Sequence, residues 1–155
     1  MKRRPENYVT LEFLSRSSNE GFARLAAAAF AAQLDPTLDE LGDIKTAVSE
    51  AVTNAIVHAY PDSIGQVVVK VRICPDQVLE VTVRDHGRGI PQEALDRITE
   101  PFYMVDKSRA RAQGGAGLGL ALCQRIASAH GAQLRFESRV GAGTTVSLIL
   151  GGSEP

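Results

Sequence analysis

Residues 44 to 60, IKTAVSEAVTNAIVHAY, admit few structures. Ile44, Val48, Val52, Ala55 and Ile56 recur at the spacing of one buried helix face, so a core helix is expected here. A carboxylate and an amide, Glu50 and Asn54, interrupt the stripe; at i and i+4 they lie on one side of the helix, next to the apolar face. A polar group left dry and unpaired there costs roughly 1 to 3 kcal/mol. The pair therefore needs partners, either neighbouring loops and water or a bound ion and a phosphate.

The 155 residues suit one domain, 1–155, with a core over about 8–150 and a tail at 151–155, large enough to bury a core without metals or disulfides. Seventeen Lys and Arg against 18 Asp and Glu give a formal charge of -1, mixed along the chain, which leaves no field to draw in nucleic acid or an acidic membrane. Cys74 and Cys123 have no metal-type spacing and read as reduced thiols, which points to a cytoplasmic protein. The start, MKRRPENY, lacks the apolar run of a secretory signal. The alanine-rich stretch near 23 to 32 falls short of the ~18 to 20 apolar residues that span a bilayer.

Tyr8 to Leu14 alternates weakly and reads as a strand at a sheet edge. Ser17 with Glu20 makes a capping-box pattern, and Phe22, Leu25, Ala26, Ala29 and Phe30 mark the inward face of the helix that follows; Arg24 falls off that face. Asp35 and Pro36 break this helix, and Thr37 with Glu40 repeats the box to open the long helix, which Tyr60 and Pro61 close. Gln66 to Ile73 and Val78 to Arg84 are Val-rich and form a hairpin. Pro91 is expected at the first position of a short helix. Residues 100 to 117 lack periodicity and read as a lid, with Phe102 and Tyr103 anchoring it on the core. Leu118 to Ala129 is helical, and Gln133 to Glu137 and Thr144 to Leu150 are strands around a Gly-rich turn.

No GxxxxGK[ST] occurs, which excludes a P-loop. Gly114 to Gly119, GGAGLG, ends where a helix starts and so offers backbone N–H groups and a positive dipole end to an anion. Asp85, at the end of a strand and followed by Gly87 and Gly89, suits an exocyclic amine such as that of adenine; guanine presents an oxygen there.

In order, the helix with Glu50 and Asn54, the D-x-G-x-G-I loop from Asp85 to Ile90, GGAGLGL, and GAGTT at 141 to 145 resemble the GHKL ATPase superfamily. The resemblance covers nearly the whole chain. It implies an α+β fold: a two-layer α/β sandwich whose mixed, mostly antiparallel sheet is covered on one face by helices. Within the superfamily, residues 31 to 60 look like the sporulation anti-sigma-F family of serine kinases, whereas EPFYMVDKSRARAQGGAGLGLALCQRIASAHGAQLRFES looks more like a sensor histidine kinase domain.

Carried over residue by residue, the resemblance implies ATP and Mg2+ as cofactors. Asn54 would bind the metal and Asp85 the adenine amine; Gly87, Gly89 and Ile90 would shape the pocket; Gly115, Gly117, Leu118 and Gly119 would approach the phosphates; Thr144 would support the adenine end. Lys107 and Arg109, in the lid, would neutralise phosphate charge. Glu50 would be the general base for a serine hydroxyl, a role that a histidine nucleophile does not require. Typical histidine kinases commonly carry another residue at that position and need an upstream helical hairpin, whereas this chain begins with a strand. His58, His86 and His130 read as structural. The implied partners are a sigma factor and a small anti-anti-sigma protein, with Arg24 as a contact, and a second copy of the chain paired through the first strand. The alternative is a histidine-kinase-like module that holds ATP without phosphorylating anything. A gyrase-like machine is not expected, because no transducer follows residue 150.

Overall fold

The computed structural model describes residues 4–104 and 119–151. Its centre is the Val-rich hairpin β2 (Gln66–Cys74) and β3 (Val78–Asp85). Val67, Val69 and Val71 are fully buried and face Val81 and Val83 on the same side. β-Branched side chains fit this pleated surface, and each buried one contributes about 1.5 to 3 kcal/mol. The edge strand β1 (Asn7–Leu14) pairs with β2, while β5 (Gly143–Leu150) pairs with β3 and carries β4 (Gln133–Arg139) on its far side. All four pairings are antiparallel, in the order β1-β2-β3-β5-β4.

One sheet face is covered by helices: α1 (Ser18–Ala31), α2 (Leu38–Asn54) and α4 (Gly119–Ala129), with α2 between the other two. A single turn, α3 (Gln92–Leu95), follows the loop after β3. The opposite sheet face is polar, and Arg72 there pairs with its cross-strand neighbour Glu80 at 3.2 Å. The α+β two-layer expectation is met. No helix among the described residues is long and apolar enough to cross a membrane.

Several local expectations are corrected. Thr37 and Glu40 form the reciprocal capping box, but Ser17 does not: its backbone is already helical (φ -57, ψ -29), so its hydroxyl makes no cap bond. Glu20, expected to complete that box, instead accepts hydrogen bonds from Ser49 on α2 and from Arg24. The buried face of α1 is Ala23, Ala27, Ala28 and Ala31, whereas Phe22 and Leu25 are 59 % and 57 % exposed. Small side chains let α1 lie close to α2 and turn the large ones outward. Pro91 precedes α3 with an extended ψ of 144, so it caps the helix rather than opening it. Phe102 is 69 % exposed and so is not buried on the core, and Tyr103 stacks with Arg97 at 4.5 Å.

Candidate functional site

The register of β3 against β5 assembles one end of the sheet. Arg84 pairs with Thr145, so the next step brings Asp85 beside Thr144, although 59 residues separate them. Asp85 is 6 % exposed, and its Oδ1 accepts the N–H groups of Gly87 (3.0 Å) and Thr144 (3.1 Å). Burial raises its pKa and these two N–H groups oppose the rise. Among the described residues both donors go to Oδ1, leaving Oδ2 as the acceptor for an outside donor.

Ser138, which sequence reasoning missed, holds this end together. Its hydroxyl donates to Gly143 O (3.0 Å), accepts from Ile90 N (2.7 Å) and meets the Thr144 hydroxyl at 2.8 Å. Thr144 is also 6 % exposed, so Ser138 positions its hydroxyl as well as the Ile90 loop. Tyr60 is a second omission. Its hydroxyl donates to Gln66 O and accepts from His86 N, both at 2.6 Å, tying the exit of the long helix to the loop after β3.

The glycines of this loop answer to packing. A Cβ on Gly87 would strike the backbone of Ala59, and one on Gly89, where φ is +75, would strike Arg139 O. The loop lies directly on its neighbours, with Arg88 N bonded to Ala59 O (3.2 Å) and Gly141 N to Arg88 O (2.8 Å).

Asn54 is the last residue of α2, and a π-helical turn, Ala55–Ala59, follows it. Such turns recur at functional sites because they re-aim the side chains beside them. Glu50 lies one turn earlier. A Cβ on Gly119, the first residue of α4, would collide with its carboxylate, so the end of the glycine-rich segment sits on Glu50. Burial, and then the nearby Glu20 charge, raise the Glu50 pKa. Of the expected site residues, Glu50 meets Gly119, and Asp85, Gly87, Ile90 and Thr144 gather with Gly89 around Ser138. Arg24 is on α1, paired at 3.4 Å with the same Glu20 that bonds Ser49 on α2. Lys107, Arg109, Gly115, Gly117, Leu118 and most of the expected lid fall outside the described residues.

Residues 40–152 match the family model for the histidine kinase-, DNA gyrase B-, and HSP90-like ATPases. An anti-sigma F factor of Caldanaerobacter subterraneus subsp. tengcongensis is 43 % identical over 142 residues, 92 % of each chain. The chain belongs to the anti-sigma F factor family of these ATPases. Another member, from Clostridium perfringens strain SM101, is 54 % identical over 99 residues, 63 % of this chain and 69 % of its own. The first match runs well into the second half, so kinship with anti-sigma F factors extends beyond the helices that suggested it.

Solved structures agree on the fold. The RsbU and RsbW domains of a Mycobacterium tuberculosis protein superpose with a TM-score of 0.64 at 22 % identity, over 97 % of this chain and 34 % of that one. The mycobacterial sensor histidine kinase MprB gives 0.62 at 20 %, over 93 % and 98 %.

ATP is the nucleotide of the family, and the polar groups present fit it: a buried carboxylate acceptor at one end and the N–H donors of a helix start at the other. Among the described residues no three His, Cys, Asp or Glu side chains converge as a metal cage. A divalent ion at Asn54 would then be of the kind completed by phosphate oxygens.

Proposed function

We propose that this anti-sigma F family member is an ATP-dependent protein serine kinase that acts in the cytosol on a small anti-anti-sigma protein and sequesters a sigma factor. The observation that carries this reading is the contact between Glu50 and the start of α4. It sets a carboxylate of raised pKa beside backbone N–H groups able to receive phosphate.

Asp85 accepts the adenine amine and so selects against guanine. Thr144, positioned by Ser138, borders the same end, and Gly87, Gly89 and Ile90 hold the loop against the sheet. Mg2+, held through Asn54, would supply charge neutralisation on the phosphates. Gly115, Gly117, Leu118 and Gly119 offer amides to them, and Lys107 and Arg109 offer positive charge. Glu50 takes the proton of the attacking serine hydroxyl, the role that separates this reading from an ATP-holding module. Phe22 and Leu25, exposed around Arg24, suit α1 to a protein partner. The free edge of β1 suits pairing with a second copy.

The test is phosphotransfer from labelled ATP to the cognate serine-bearing partner. Glu50→Gln is expected to bind ATP normally and to lower the rate about 10² to 10⁴-fold. Phosphorylation at the unaltered rate would overturn the assignment of the base, and a partner never phosphorylated by the native chain would overturn the kinase reading.

A further inference from the structure

We propose that the end of the molecule remote from Asp85 holds a second site, one that takes a small organic cation with an apolar body. A cavity of about 480 Å3 opens there between the first half of α2, the end of α4 and the β2–β3 hairpin. This is within the range of roughly 300 to 1,000 Å3 typical of small-molecule sites. Its floor is apolar, formed by Leu34, Ile44, Leu79, Ile126 and Leu148, of which all but Leu34 are buried.

The rim supplies the sign of the charge. Asp35, Glu40, Asp43 and Asp76 border the cavity, and no Lys or Arg does so among the described residues. The lining group that can carry positive charge, His130, lies 2.7 Å from Asp43, and Glu40 is committed to the Thr37 cap. Asp35 and Asp76 are exposed at the mouth, and their carboxylates have no hydrogen bond or ion pair among the described residues. An apolar body would cover the floor while an ammonium or guanidinium group met these two acids. An anion would face repulsion, and a neutral ligand could gain at most a hydrogen bond from them, without the attraction between charges.

This site is independent of the nucleotide end. Along α2, Asp43 precedes Asn54 by eleven residues, about 16 Å at 1.5 Å per residue. A ligand can therefore be mapped to one end or the other.

The experiment titrates 4-phenylbutylamine into the 15N-labelled full chain and follows amide shifts, with 4-phenylbutanol and 4-phenylbutyrate as controls of matched body and altered charge. Saturable shifts are expected around Asp35, Asp76, Leu79, Ile126 and His130, with the amine bound at least about fivefold tighter than the alcohol and the carboxylate weakest. The double variant Asp35→Asn with Asp76→Asn keeps the backbone intact, because both residues have positive φ (50 and 65), which asparagine accepts. It should weaken the amine about fivefold and leave the alcohol unchanged. Equal binding of amine and carboxylate, an unchanged amine affinity in the double variant, or shifts centred on Asp85 and Thr144 would each overturn the proposal. Charge selectivity in the native chain decides the matter even if the variant fails to fold.

Discussion

Among single side chains, Glu50 and Glu20 form a pair whose coupling can be measured. Burial is the first cause and the Glu20 charge the second that raise the Glu50 pKa. A general base must be ionised, so the acid limb of the phosphotransfer rate should lie above the ordinary carboxylate range, with the rate rising as pH rises through it. Glu20→Gln removes the second cause and should move that limb to lower pH while leaving the plateau in place. A pH–rate profile checks this, and an unmoved limb would show that Glu20 is not felt at Glu50. The sequence singles out Glu50 and Asn54 on the polar seam of a patterned helix and Asp85 at the end of a strand, whereas Thr144 follows from the resemblance alone. Ser138 and Tyr60 were not legible there. Their roles arise only where three separate segments converge on one hydroxyl, and no local pattern records that.

The helices show where pattern suffices and where it misleads. Two capping boxes were read, at Ser17 and Thr37, and only the second forms, because an extended N-cap backbone is what lets the hydroxyl turn back onto the helix. Thr37→Ala should cost about 1 kcal/mol, lowering Tm by roughly 2 to 4 °C in a chain of this size. Ser17→Ala should stay within about 0.5 kcal/mol. Thermal denaturation of the two variants side by side checks the contrast, and equal losses would contradict it. The buried face of α1 differs from the expected one for a related reason: a run with alanine on every side fits several helical stripes, and two of its large apolar side chains, Phe22 and Leu25, are not on the buried one. Only docking against α2 decides which stripe is buried.

For the molecule as a unit, the order of strands and helices was readable from periodicity and turn residues. The β4–β5 hairpin was readable too, but the pairing of β5 with β3 was not, because it joins segments distant in sequence. Two thiols report on the integrity of that assembly. Cys74 and Cys123 are both buried, and burial, followed by the Glu50 charge, pushes the Cys123 thiol up to about 12. Thiolate is the reactive form, so alkylation at neutral pH should be negligible in the native chain and should follow global unfolding as urea is raised. Fast labelling of Cys123 without denaturant would show that the α2–α4 contact opens locally.

The grip of Asp85 on adenine is tested most directly by calorimetric titration of Mg-ATP into the native chain and into Asp85→Asn. The asparagine carbonyl can still accept the N–H groups of Gly87 and Thr144, so the variant should fold, but its amide presents a donor to the adenine amine. The native chain should take up one ATP, and the variant should bind it at least about tenfold more weakly with an unchanged Tm. Equal affinity in the two proteins, or no heat from the native chain, would contradict the assignment of this end of the sheet to ATP.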